Sequence, residues 1–368
     1  DGFKKLVNDG FHLKNTHFNY VPTYTGPGHS SVYTGAAPET HGIISNNWYN
    51  KFERQSVYCA GDPNVEPVGT TSSAGKMSPH RMLTTSVADE NRLHTQMRGK
   101  TIGVALKDRG SILPAGHTAN GAYWFHGQDE GRWITSSFYM EELPKWVKDF
   151  NKSKKAESYM KTWNTLYDIE SYVESGTDQN NYEGGFDGKK TATFPYDLKK
   201  LGKENGGFDI IKSTPYGNSL TADFAIAAID GEDLGQDEIT DFLTVSFSST
   251  DYVGHNFGVN SVEVQDTYLR LDQDLARGVV EDPHLTGDGR RCASVVPGDH
   301  LDLEPRPTAQ PDRLGGGPPR RVEHGLEPGQ GQRIALQGEV GATPTSLRLE
   351  FEHGYSCEAG PSGRTLWM

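Results

Sequence analysis

Val21-Pro-Thr-Tyr-Thr25-Gly-Pro-Gly-His29-Ser-Ser-Val-Tyr-Thr34-Gly35 runs from an apolar start through two threonines into a Pro/Gly turn. A run of small residues able to start a helix follows. That order presents a hydroxyl at the end of an extended segment, against the free N–H groups of the next helix. Thr25 is the candidate nucleophile. A threonine hydroxyl is weak by itself, so the rest of the chain must supply an activator.

Outward from that turn, residues 2–8 carry a helical pattern, and a second helix is expected to start near His29. Thr101-Ile-Gly-Val-Ala-Leu106 reads as a buried strand with Lys107-Asp-Arg109-Gly directly after it. Phe242-Leu-Thr-Val-Ser-Phe247, rich in β-branched and aromatic residues, reads as another. Residues 220–229 between them are helical in pattern. Asn260-Ser-Val-Glu263 is a capping-box-like start to a helix with Val264, Tyr268, Leu271 and Leu275 on one face. Strands alternating with helices predict an α/β fold, with a mainly parallel central sheet flanked by helices. A polar, aromatic stretch from about 122 to 205 predicts a cap insertion over that sheet, with helical pieces at 141–149 and 156–167.

At 368 residues the chain can bury a sizeable core as one large domain or two smaller ones. A net charge of -13 argues against a nucleic-acid-binding surface. No apolar run approaches the ~18 residues of a membrane span. Cys59, Cys292 and Cys357 are too few for a disulfide framework or a cysteine zinc site, and leave one bridge open. After Arg277 the composition breaks: the last 91 residues hold no lysine and no asparagine, while the first 277 hold all 19 lysines. Half of the 20 prolines also fall in this tail. Residues 278–368 therefore read as loop or disorder, with a reading-frame shift or a mis-joined gene end as the sharper expectation.

Ser248-Ser-Thr-Asp251-Tyr-Val-Gly-His255-Asn-Phe-Gly258 follows the second strand. Ligands of parallel sheets gather at the carboxyl ends of strands. An aspartate and a histidine four residues apart can reach one metal, and that donor pair suits zinc. The plain alternative is a helix-cap aspartate beside a surface histidine. Lys107 and Arg109 can clamp an anionic oxygen or form a solvated loop, and Asn46 can donate to the same anion or make a turn. Asp299-His300 is a second Asp/His pair, inside the tail. A hydroxyl nucleophile, metal ligands and an anion clamp are together the kit for phosphoryl or sulfuryl transfer. In a two-metal site with ions ~4 Å apart, one metal turns the threonine into an alkoxide and the other stabilises the leaving oxygen. The chain carries no P-loop, Gly-x-Ser-x-Gly elbow or dinucleotide fingerprint.

Pro22-Thr-Tyr-Thr25-Gly-Pro-Gly-His29, His41-Gly-Ile-Ile-Ser-Asn46, Leu106-Lys-Asp-Arg109-Gly with Leu113-Pro-Ala-Gly-His117, and Ser249-Thr-Asp251-Tyr-Val-Gly-His255 stand in one order. In that order they resemble the threonine-nucleophile branch of the alkaline phosphatase superfamily. The nearest likeness is to its phosphate-irrepressible periplasmic alkaline phosphatases, cousins of the nucleotide pyrophosphatase/phosphodiesterases. The resemblance covers residues 1–277. It implies that Thr25 forms a phosphothreonine intermediate and bridges to one zinc, while Asp251 and His255 bind the other. It implies that Asn46, Lys107 and Arg109 hold the phosphoryl oxygens, two Zn2+ serve as cofactors, and the substrate is a small-molecule phosphate ester. The Lys/Arg pair marks monoesterases, because a monoester is a dianion that rewards extra cations. A periplasmic or secreted location follows from the same likeness, and the oligomeric state does not.

The family's first metal-binding aspartate precedes its nucleophile on an upstream strand, so the domain 1–277 is expected to be incomplete at its N-terminus. Its second Asp-His pair should come roughly fifty residues after Asp251. Asp299 and His300 have that separation, and His324 in Glu323-His-Gly is an alternative. A zinc-dependent phosphate monoester hydrolase is the leading expectation. A phosphodiesterase/nucleotide pyrophosphatase on the same fold and a catalytically incomplete fragment are the alternatives. A sulfatase is disfavoured, because Thr25 is followed by Gly-Pro-Gly-His29 rather than by proline and arginine in a formylglycine motif.

Overall fold

The computed structural model describes residues 2–280 except 11, 12, 14, 129 and 130, together with four short strands in the tail. Three helices open the chain: α1 (Gly2–Asp9), α2 (Thr25–Thr34) and α3 (Pro38–His41). A hairpin of β1 (Asn47–Asn50) and β2 (Gln55–Tyr58) follows, then β3 (Pro67–Val68) and α4 (Val87–His94). Next come β4 (Thr101–Ala105), α5 (Asp108–Ala115), β5 (Gly121–His126) and β6 (Arg132–Ser136). Past β6 lie α6 (Lys145–Lys152), α7 (Lys155–Ser158), β7 (Thr162–Trp163), β8 (Tyr196–Asp197) and α8 (Leu198–Leu201). The chain then forms α9 (Pro215–Gly231), β9 (Asp241–Phe247), α10 (Ser249–Phe257) and α11 (Val262–Val280). The tail strands are β10 (Val296–Pro297), β11 (Arg348–Phe351), β12 (Tyr355–Glu358) and β13 (Thr365–Trp367).

The central sheet runs β10-β9-β4-β5-β6-β3, with β13 also on β9. Strands β10, β13, β4 and β5 join it in parallel, whereas β5–β6 and β6–β3 are antiparallel. The expected mainly parallel α/β sheet is present, with an antiparallel edge. Every residue of β4 and β9 is buried, as befits parallel strands covered on both faces. Side chains of β5 alternate between two cores. Tyr123 and Phe125 join the cluster shared with α9 and α11, while Ala122 and Trp124 join the one shared with α5. Gly103 on β4 lets α5 lie close, since a Cβ there would stand 2.5 Å from the Ser111 carbonyl oxygen. A second unit, residues 302–361, contains β11 and β12 paired antiparallel.

Several sequence expectations are corrected. The segment expected to start the cap contains β5 and β6, which belong to the central sheet, so residues 122–136 are not part of a cap. Its aromatic residues are those of a buried strand pair. The helix expected over 141–149 starts at Lys145, with Pro144 as its N-cap. Proline disfavours helical geometry in the residue before it. Where 156–167 read as helical, only α7 forms and β7 follows, because Trp163 is buried against Tyr196, Phe194 and Phe257. Helix α2 begins at Thr25 itself rather than near His29, and Pro27 fits its first turn, where its missing N–H costs nothing. Helix α11 is capped by Ser261, whose hydroxyl accepts from the Val264 N–H at 3.2 Å. The tail, read as loop or disorder, contributes the four strands β10 to β13 to the described residues.

Glu263, expected in the capping box, instead lies fully buried and accepts from the Tyr196 hydroxyl at 2.5 Å. Burial pushes its carboxyl up to about 8, the nearby Glu183 and Asp178 adding to the rise while the Tyr196 bond opposes it. A raised folded pKa stabilises below the unfolded value of about 4.5, and that contribution fades as pH climbs toward 8. Glu263→Gln should therefore melt at a higher temperature than the parent at pH 8.5 and near the parent at pH 5. A gain at pH 5 that is absent at pH 8.5 would contradict the buried neutral acid.

Candidate functional site

Strands β4 and β9 are adjacent and end together, with Ala105 opposite Ser246. Each turns directly into a helix. Lys107 is the N-cap of α5, and Asp251 sits in the first turn of α10. The Lys107 ammonium donates to Asp251 Oδ2 at 2.6 Å, with both side chains about 5% exposed or less. It also lies 4.7 Å from the ring centre of Tyr252. The other carboxylate oxygen, Oδ1, faces His255 Nε2 at 3.2 Å, one helical turn on and largely exposed. Asp251 thus serves two neighbours with two separate oxygens.

Thr25 reaches the same end of the sheet through α2. The His29 ring contacts the Thr25 carbonyl oxygen at 3.0 Å through Nδ1 and the Ser246 hydroxyl at 3.1 Å through Nε2. A carbonyl only accepts, so Nδ1 donates to it, while Nε2 shares a hydrogen bond with the Ser246 hydroxyl. This histidine therefore ties the start of α2 to the carboxyl end of β9. Tyr24 precedes Thr25 in extended geometry with no side-chain cap. The Thr25 hydroxyl has no hydrogen-bond partner among the described residues.

Asn46 lies beside that turn. Its Oδ1 accepts the Gly26 N–H at 2.7 Å, and its backbone carbonyl accepts from the Cys59 N–H at 2.9 Å. With Oδ1 committed, the amide N–H2 is the end left to donate elsewhere. A Cβ on Gly26 would stand 3.1 Å from Cys59 Sγ and 3.2 Å from Asn46 Oδ1, so the turn and its support are in close contact. Burial, and then the Asp108 charge, push the Cys59 thiol up to about 12, which keeps it protonated and unreactive. Arg109 donates through Nη1 to the Tyr58 hydroxyl at 2.9 Å, and that hydroxyl donates to the Asp108 carboxylate. Its Nε is buried and has no hydrogen-bond partner among the described residues. The guanidinium is therefore held by one corner, with donor capacity left for an anion.

Thr25 and Asn46 are thus joined through Gly26, and Lys107 is joined to Asp251 and His255. Arg109 follows Lys107 by two residues on α5. Asp299, His300 and the alternative His324 lie outside the described residues. Two groups went unnoticed in the sequence: Tyr58 with Asp108, which steady Arg109, and His29 with Ser246. His29 stood inside the quoted motif. Tyr58 carried no local signal, since it meets Asp108 only through the fold.

A zinc fit can be judged from Asp251 and His255. Two ligands of one tetrahedral zinc at 2.0–2.1 Å stand about 3.3 Å apart, close to the 3.2 Å between Asp251 Oδ1 and His255 Nε2. The Lys107 bond to Oδ2 is the kind of outer contact that orients a ligating carboxylate. The pair fits as half of a zinc shell. Among the described residues, no group of three or more His, Cys, Asp or Glu side chains comes together to complete it.

Lys107→Met should cost roughly 3–5 kcal/mol in urea unfolding, because it strands a buried carboxylate. Lys107→Met with Asp251→Leu should recover most of that loss. A single variant within about 1 kcal/mol of the parent would show that the pair is not held as buried ions.

The type I phosphodiesterase/nucleotide pyrophosphatase family model matches residues 1–279. A protein of Myroides odoratus named calcium-transporting ATPase is 53% identical over 279 residues, which are 75% of this chain and 50% of that one. Alkaline phosphatase PafA of Elizabethkingia meningoseptica is 54% identical over 278 residues, again 75% and 50%. The chain thus spans about half the length of the curated relatives it matches. A crystal structure of wild-type alkaline phosphatase PafA superposes with a TM-score of 0.72 at 51% identity, covering 75% of this chain and 53% of that one. A PafA variant with one threonine, one asparagine, one lysine and one arginine replaced gives 0.75 at 50% identity, covering 77% and 55%. The fold is therefore alkaline phosphatase-like, and the chain belongs to the type I phosphodiesterase/nucleotide pyrophosphatase family.

Proposed function

We propose that this chain carries the nucleophile and phosphate-holding part of a zinc-dependent phosphate monoester hydrolase. One observation supports the reading most: Thr25, Asn46, Lys107, Arg109, Asp251 and His255 lie on the helices and the bend that start beyond the carboxyl ends of β4 and β9 or are tied to them. The replaced PafA residues add to it. Their threonine and asparagine are as far apart as Thr25 and Asn46, and their lysine and arginine are separated by one residue, as Lys107 and Arg109 are.

In this reading Thr25 Oγ attacks phosphorus, its O–P bond forming as the ester O–P bond breaks. Water then cleaves the phosphothreonine and restores the hydroxyl. The Asn46 amide, turned by the Gly26 bond, donates to a phosphoryl oxygen. Lys107, at the N-cap of α5, supplies one cation to the clamp. Arg109, steadied by Tyr58 and Asp108, supplies the second cation. Zinc, held in part through Asp251 and His255, would supply positive charge to the nucleophile and the leaving oxygen. The positive ends of α2, α5 and α10 favour the same anion.

The family description favours a second reading, a phosphodiesterase or nucleotide pyrophosphatase. The ATPase name of the Myroides relative makes ATP a further substrate to assay. Lys107 and Arg109 weigh toward the monoester, whose dianion has three free oxygens to hold. Thr25→Ala should lower turnover of an aryl phosphate monoester by roughly a thousandfold or more with the melting temperature unchanged. Substantial residual turnover would remove Thr25 as nucleophile. Arg109→Ala should slow the monoester by about a hundredfold and an aryl phosphate diester far less, and equal losses would favour the diesterase. Metal analysis separates an enzyme from an incomplete fragment: about two zinc ions per chain for the former, one or none for the latter.

A further inference from the structure

Helix α10 starts without a cap of its own. Ser248, at the N-cap position, has φ -73 and ψ -15, a helical geometry, and its side chain caps nothing. An N-cap side chain reaches its helix only from extended backbone. The Ser248 hydroxyl is buried and has no hydrogen-bond partner among the described residues. The first N–H of α10, that of Ser249, is taken by another helix instead: Asn218 Oδ1 accepts it at 3.1 Å. Asn218 is fully buried in the first turn of α9. Gly217 before it permits the contact, since a Cβ there would stand 2.2 Å from Ser249 Oγ and 2.9 Å from the Ile211 carbonyl oxygen.

We propose that Asn218 is a positioning residue for Asp251, capping α10 from the neighbouring helix and so setting where the carboxylate points. Asp251 is the third residue of α10, in the turn this bond secures. The first backbone bond inside the helix, from the Tyr252 N–H to the Ser248 carbonyl, begins in the same turn. Releasing the Ser249 N–H frees that turn to fray. The carboxylate then loses its fixed approach to Lys107 on one side and to His255 on the other. The role in turnover rests on the hydrolase reading above, whereas the capping itself does not.

Amide hydrogen exchange tests this directly. In Asn218→Ala, the Ser249 and Tyr252 amides should exchange roughly fivefold to tenfold faster while α9 and α11 keep their protection. Asn218→Asp keeps an acceptor at the same place, which the helix dipole favours, and should restore protection. Should the alanine variant not fold, Asn218→Ser, whose side chain is too short to reach the amide, is read the same way. On an aryl phosphate monoester, kcat should fall about tenfold with KM within twofold, and the aspartate variant should recover it. Unchanged exchange at Ser249 and Tyr252, or a rise matched across α9 and α11, overturns the proposal. Absence of hydrolysis by the parent chain would count against the hydrolase reading alone, because the exchange result stands without it.

Discussion

The buried ion pair between Lys107 and Asp251 is the contact on which the arrangement of the site depends. Two charges with side chains about 5% exposed or less cannot stand apart without a large desolvation penalty, so each dictates where the other must be. They are 144 residues apart in sequence and meet because β4 and β9 lie side by side and end level. Pairing them sets the N-terminus of α5 against that of α10. Arg109 and Asp108 on one helix, and His255 on the other, are carried along. A neutral pair at these positions could pack as well, but it would not orient a carboxylate with one oxygen committed and one available.

The second constraint is steric. Helix α5 can lie against the sheet because Gly103 has no side chain to meet the Ser111 carbonyl. Helix α2 can rest on the Asn46 and Cys59 segment because Gly26 has none either. These contacts shorten the distance between backbones, and shorter distances let single hydrogen bonds, from Gly26 to Asn46 and from His29 to Ser246, position whole helices. The chemistry-bearing groups therefore sit on the ends of regular elements rather than on long loops. Such placement favours precision over adaptability.

How legible this was in the sequence depends on how local each signal is. Strands β4 and β9 were readable because continuous β-branched and aromatic runs mark strands buried on both faces. Thr25 and the Asp251/His255 pair stood in short motifs whose turn residues announce them. The insertion was harder. Trp163 and Tyr196 pair as strands only because Phe194 and Phe257 pack around them, a tertiary decision that overrides local helical pattern. Tyr58 was invisible for the same reason, its partners lying fifty residues away. Glu263 misled outright: a glutamate early in a helix normally caps it, but here the Tyr196 hydroxyl drew it into the core.

The division of labour on Asp251 links these points. Oδ1 lies at a ligand-to-ligand spacing from His255, while Oδ2 is held by Lys107. A carboxylate so divided can contribute one oxygen to a cation without releasing the ammonium. Cation and ammonium then do not compete for the same oxygen. That arrangement requires the carboxylate plane to be fixed, because a rotation exchanging the two oxygens would turn the oxygen now held by Lys107 toward His255. Whatever secures the first turn of α10 therefore matters as much to the site as the charged groups themselves.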